Sequence, residues 1–188
     1  DLAGNPVMPG FSFVFDPVAV HGLAATLAIL LLFGAWQKLR DPLMFSAAIE
    51  DYRLLPGSWA PVLAFCMPVT EAAAGIMLLL PKTAPTGGAT ALLVLSLATG
   101  AVVVNLLRGR RDIDCGCGGL SHQPLSWALV SRNLALMAAI VVVMHGEGER
   151  GLVWLDYLTV AATVLALFGL YAVFNQLLAN RPATPVFR

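Results

Sequence analysis

Residues 89–107, ATALLVLSLATGAVVVNLL, followed at once by Arg108-Gly109-Arg110-Arg111, decide the class of fold. The run carries no charge, and at 1.5 Å of rise per helical residue it reaches about 28 Å, close to the thickness of bilayer hydrocarbon. The arginines that end it mark a water interface. Four further apolar stretches, about 18–36, 60–80, 126–144 and 152–178, are long enough to do the same. A spanning segment must satisfy its own backbone hydrogen bonds, and none of the five shows the two-residue alternation of a barrel strand, so each is predicted to be a helix.

Composition agrees with that reading. The 188 residues are 59% hydrophobic and 12% charged, with zero formal net charge, and mean hydropathy is +0.81. Soluble domains carry about 25% charged residues, so the chain is read as an all-α integral membrane protein of one domain. No basic excess points to nucleic acid, and the lipid bilayer is the expected surrounding. The chain opens on Asp1 rather than Met, which leads us to expect residues upstream; its acidic start lacks the basic region of a secretory signal.

Basic residues give the bundle a direction. With five crossings, one side receives Lys38, Arg40, Arg53, Arg108, Arg110, Arg111, Arg181 and Arg188, the other only Lys82 and Arg150, and Arg132 falls inside the fourth crossing. The positive-inside rule then puts the first side in the cytoplasm and the N-terminus outside. Trp36, Trp59, Trp127 and Trp154 all fall near the predicted boundaries, as an aromatic belt does. Between the first two crossings, residues 42–55 read as a short amphipathic interfacial helix. Asp41 is its N-cap, Pro42 stands in its first turn and Pro56 stops it.

Chemistry concentrates in the loop 108–124, where Cys115-Gly116-Cys117 places two of the chain's three cysteines one glycine apart. Such a pair can cycle between dithiol and disulfide or share a soft metal. A disulfide between them needs a tight bend, which Gly116 permits, and the small ring would exchange more readily than a structural disulfide. Arg108, Arg110 and Arg111 favour a thiolate, whereas Asp112 and Asp114 oppose it. The metal alternative uses Cys115, Cys117 and His122, a spacing that is not a standard zinc arrangement. Cys66, in the second crossing, reads by default as a small packing residue and alternatively as a third, resolving thiol, with Pro68 loosening the helix beside it.

Ionisable residues inside a membrane mark sites. Glu71 lies near the middle of the second crossing, and Arg132 and Asn133 about two turns into the fourth. A Glu71–Arg132 pair is expected to share the cost of burial. In a functional version Glu71 handles a proton during thiol oxidation, or the two residues line a cavity for a quinone or a partner. His21 and Asp156 are placed toward the interfaces.

The strings GAWQKL from Gly34, DPLMFSAAIEDYRLLP from Asp41, PVTEAAAG from Pro68 and NLLRGRRDIDCGCGG from Asn105 together resemble the MauE family of methylamine-utilisation membrane proteins, within the DoxX-like group. The resemblance implies a DoxX-like four-helix core. It also implies a role beside a periplasmic thioredoxin-like (MauD-like) partner in maturing a disulfide-rich secreted enzyme subunit, such as that of methylamine dehydrogenase. Cys115 and Cys117 would carry thiol–disulfide exchange, with Cys66, Glu71 and Arg132 beneath them. In that family an aromatic residue usually follows the second cysteine; here it is Gly118, which would leave the pair more exposed. Two alternatives stay open: a docking subunit whose cysteines are dispensable, and a Cu- or Zn-binding membrane protein. A periplasmic partner conflicts with a cytoplasmic cysteine loop unless electrons are relayed across the bilayer, the loop dips inward, or the number of crossings differs.

Overall fold

The computed structural model describes residues 16–113, 124–145 and 153–179. Its elements, in order, are α1 (Pro17–Arg40), α2 (Pro42–Asp51), a single 3-10 turn (Gly57–Trp59) leading into α3 (Ala60–Leu78), α4 (Ala84–Leu107), α5 (Trp127–His145) and α6 (Trp154–Ala179). Among the described residues there is no strand, and five helices are long and apolar enough to cross a membrane. The protein is a multi-pass membrane protein of the all-α class.

Helix limits follow local chemistry as well as apolarity. Asp16 caps α1 by accepting from the Val18 N–H at 2.8 Å, with Pro17 behind it. The helix runs four residues beyond the apolar stretch, through Gln37 to Arg40, because Lys38 and Arg40 suit the negative end of a helix. Asp41 ends α1 and caps α2, accepting from the Met44 N–H at 3.1 Å. The interfacial helix stops at Asp51 rather than at 55. Arg53 turns into the left-handed region (φ 49°), and its N–H bonds back to the Glu50 carbonyl. At the other end of the bundle α4 starts at Ala84, five residues ahead of the apolar run, with Pro85 in its first turn. Pro68 is fully buried and α3 continues through it unbroken.

Four helices close a ring in which α1 packs on α3, α3 on α4, α4 on α5, and α5 back on α1. α2 lies against α3, and α6 packs mainly on α1 from outside, with Leu178 its one buried residue among those described. The outermost helix is therefore an addition to a four-helix core. Trp36, Trp59, Trp127 and Trp154 all point outward at helix ends.

One end of the bundle carries Lys38, Arg40 and Arg108 and is called the basic end below. The core is split along the axis. Toward the opposite end a dry cluster joins Leu27, Ala28, Leu31, Ala74, Leu78, Ala91, Leu95, Ile140 and Val143. Small residues let the helices touch there. A Cβ on Gly75 would lie 3.2 Å from the Ala28 carbonyl oxygen, and one on Gly87 would lie 2.7 Å from the Met77 Cβ and 2.9 Å from the Leu78 nitrogen. A second cluster, Tyr52, Val102, Leu106, Leu125, Leu129, Val130 and Leu178, closes the basic end.

The α3–α4 approach at Gly87 is thus a fixed point of the fold. Gly87→Ala should lower the unfolding midpoint in detergent by an amount equivalent to about 1–3 kcal/mol of overpacking. Gly100→Ala, where a Cβ meets nothing within 4 Å, should leave the midpoint unchanged or raise it.

Candidate functional site

Between the two clusters the ring encloses a cavity of about 400 Å³, lined mostly by apolar side chains of α1 to α5 with Tyr171 of α6. Its polar features are few and specific. On one wall Lys38 of α1 forms an ion pair with Glu71 of α3, its ammonium donating to Oε2. Gly34, one turn before Lys38, makes room for the carboxylate: a Cβ there would stand 3.1 Å from Oε1. The Lys38 ammonium also sits 5.8 Å from the centre of the Phe45 ring of α2, so α1, α2 and α3 meet at this charge.

On the opposite wall a polar chain crosses three helices. Arg132 of α5 donates from Nε and Nη2 to the Asn133 Oδ1, at 3.2 and 3.1 Å, and from Nη1 to the Asn175 Oδ1 of α6 at 2.7 Å. Its guanidinium lies 5.7 Å from the centre of the Tyr171 ring. Asn133 in turn donates to the Thr99 hydroxyl of α4 at 3.0 Å. Arg132 therefore rests on amide oxygens and an aromatic face, and among the described residues no carboxylate pairs with it.

The expected Glu71–Arg132 pair is not formed. Both residues line the same cavity, but the counter-charge of Glu71 is Lys38. In the sequence Lys38 stands out only as an orienting basic residue. It reaches inward because its aliphatic stem lies along the apolar wall while its ammonium finds the carboxylate. Three further polar partners, Thr99, Tyr171 and Asn175, carry no motif; only their helical placement brings them to Arg132.

Cys115, Cys117 and His122 lie outside the described residues. The stem of their loop is described, and it is tightly held. Gly109 (φ 75°) reverses the chain at the end of α4. Arg110 then turns back, donating from Nη1 to the Asn105 Oδ1 at 3.1 Å and to the Tyr52 carbonyl at 3.3 Å. The Leu125 N–H is shared between the carbonyls of Arg111 (3.1 Å) and Ile113 (3.2 Å), so the two strands of the stem meet. Tyr52, beneath Arg110, belongs to both the basic-end cluster and the cavity lining. The cysteine loop is rooted at the cavity floor.

Cys66 is exposed on the outer surface of α3. Five residues before Glu71, it points about 140° away around the helix, at 100° per residue. The default expectation of a packed Cys66 is corrected: Ala64 and Pro68 take the inward positions on either side. Among the described residues no group of three His, Cys, Asp or Glu side chains stands close enough to hold a metal ion.

The ion pair has a measurable signature. Lys38→Met leaves Glu71 facing the cavity unpaired and should destabilise the protein by about 3 kcal/mol in a detergent unfolding titration, whereas the double replacement Lys38→Met with Glu71→Leu should recover most of the loss. Equal loss in both variants would show that the two charges are not coupled.

The comparisons with known proteins point to one family. The family "Methylamine utilisation protein MauE" matches residues 16–146. The methylamine utilization protein MauE of Paracoccus denitrificans is 39% identical over 137 residues, covering 71% of this chain and 73% of that protein. That of Methylorubrum extorquens is 36% identical over 126 residues, 66% of this chain and 67% of the relative. That of Methylophilus methylotrophus is 29% identical over 178 residues, 92% of each. No solved structure matches. With five spanning helices, a family match from Asp16 to Gly146 and relatives of one description along most of its length, the chain belongs to the MauE family of methylamine-utilisation proteins.

Proposed function

We propose that the protein is a membrane thiol–disulfide redox protein whose Cys115/Cys117 pair exchanges electrons with a thioredoxin-like, MauD-like partner during maturation of a disulfide-rich secreted enzyme subunit. The observation that carries this reading is the rooted stem: Gly109, Arg110 and Leu125 hold the ends of a cysteine-bearing loop against the bundle. One thiolate attacks a disulfide sulfur of the partner, a mixed disulfide forms as the partner's other sulfur leaves, and the neighbouring cysteine resolves it. The pair ends as a disulfide and the partner as a dithiol; the same steps run in reverse when the partner is the one oxidised. Glu71 and Arg132 lie in the cavity beneath the stem, where a carboxylate serves proton movement and a guanidinium holds a fixed positive charge.

Replacing Cys115 and Cys117 together with Ser should abolish redox cycling of the partner while the complex still forms. Full retention of subunit maturation would sink the exchange reading and leave a docking role. Stoichiometric Cu or Zn in the purified protein, lost with the same replacements, would instead support metal binding. Cys66→Ala should retain exchange, because that thiol faces away from the cavity.

By its arginines the basic end belongs in the cytoplasm. The loop by itself does not undo this assignment. Ten residues, 114–123, doubled back from a closed stem reach at most about 17 Å, short of a bilayer's hydrocarbon thickness. With the basic end cytoplasmic, exchange with a periplasmic partner runs through a relay across the bilayer; with it periplasmic, exchange is direct. A membrane-impermeant thiol reagent applied to intact cells carrying Cys66→Ala should leave Cys115 unlabelled until the membrane is permeabilised. Labelling in intact cells would turn the bundle over.

A further inference from the structure

Thiol oxidation leaves two electrons and two protons to be placed, and the cavity between the two cores has the properties of the place that takes them. We infer that it is a binding site for the ring of an isoprenoid quinone, which enters from the lipid; this rests on the exchange reading above and names its electron carrier.

Access comes first. The dry cluster around Ala28, Ala74 and Ile140 closes the cavity toward one aqueous face, and the cluster around Tyr52, Leu106 and Leu129 closes it toward the other. The lining reaches the surface at the side, where Leu54, Leu55, Leu97 and Val104 are exposed. Leu97 and Val104 belong to the spanning helix α4, and Leu54 and Leu55 to the turn that follows α2, so the opening is apolar and suits a membrane-dissolved occupant.

Polarity comes next. Both walls present unused donors, and on the Glu71 side the carboxylate keeps unused acceptor positions as well. Three of the five Arg132 N–H groups are used by amide oxygens, and the Lys38 ammonium gives one of its three hydrogens to Glu71. A ligand with an acceptor oxygen at each wall can take the unused hydrogens of Arg132 and Lys38, and once reduced its hydroxyl can donate to Glu71, on a body that otherwise suits apolar walls. Depth weighs against a charged lipid headgroup. Glu71 lies eleven residues into α3, about 16 Å along its axis, and drawing a phosphate or carboxylate that far from the interface costs several kcal/mol. An uncharged ring with two carbonyls and a hydrocarbon tail meets every requirement.

The step balances. The Cys115/Cys117 dithiol gives up two electrons and two protons and becomes a disulfide, and the quinone takes both and becomes a quinol. The Lys38–Glu71 pair hands protons to one reduced oxygen while the Arg132 guanidinium stabilises charge on the other.

The test uses the purified protein in phosphatidylcholine nanodiscs with an azido-ubiquinone photoprobe, label positions being read by mass spectrometry. Labelling is expected on the α3 and α4 segments around Leu63–Glu71 and Leu97–Val104, and should fall about tenfold under excess decylubiquinone. Ala98→Trp, which fills the cavity, and Leu97→Trp, which narrows its mouth, should each reduce labelling at least fivefold. Labelling unaffected by either variant, or competed equally well by oleate or phosphatidylglycerol, would overturn the site. The Cys115→Ser/Cys117→Ser protein should label like the wild type. If that variant matures its client fully while the label persists, the exchange reading fails and the quinone site stands. In the wild type, anaerobic decylubiquinone should yield one quinol per dithiol oxidised; labelling without quinol would overturn the redox step.

Discussion

A charge inside hydrocarbon has to be matched from within the protein, and the Lys38–Glu71 pair is the match on which the arrangement of this bundle depends. It fixes where α1 stands against α3. Gly34 is the sequence requirement that accompanies it, because a side chain there would press on the Glu71 carboxylate. It also accounts for the length of α1, which continues past its apolar run until Lys38 can fold its stem back toward the carboxylate. α2 is drawn in by the same charge, with Phe45 covering the ammonium. One ion pair thus sets the relation of three helices at the basic end, where apolar packing alone would allow them to slide.

The pair also explains why the bundle is two-toned along its axis. Toward the end opposite the basic residues, glycine and alanine bring helices into backbone contact, and van der Waals packing suffices to hold them. Toward the basic end the helices part around polar side chains whose hydrogen bonds run across the gap. The Arg132–Asn133–Thr99 chain ties α5 to α4, and Asn175 ties α5 to the peripheral α6. Separation of the helices there is the geometric consequence of placing long polar side chains between them. The same separation leaves the cavity.

Much of this was legible in the sequence. The five apolar runs and the absence of strand alternation were enough for the fold class, and Asp41 with Pro42 announced the short helix that follows α1. Glu71 and Arg132 stood out because intramembrane charges are rare, and both do line the cavity. Their partners were not legible. A pairing across helices depends on rotation and height, which a single sequence leaves open, so Arg132, a second charge within a crossing, looks a better partner for Glu71 than a lysine at a helix end that doubles as an interface marker. Cys66 illustrates the same limit. In an apolar helix every position looks equally able to be inside, and only the ring of α1, α3, α4 and α5 shows that its side of α3 faces out.

The stem of the cysteine loop makes the remaining link. Arg110 holds Asn105, which is fully buried in α4, and the carbonyl of Tyr52, whose residue closes the cavity floor. A displacement of the stem therefore cannot occur without moving either the last turn of α4 or the turn that ends α2, and both border the cavity. An exposed loop could have been joined to α4 by an ordinary polar turn, at no cost in buried hydrogen bonds. Here a buried amide and a backbone carbonyl are both committed to one arginine, so the position of the stem and the shape of the cavity are set by the same contacts. That shared anchoring couples the described ends of the cysteine loop to the cavity within the bundle.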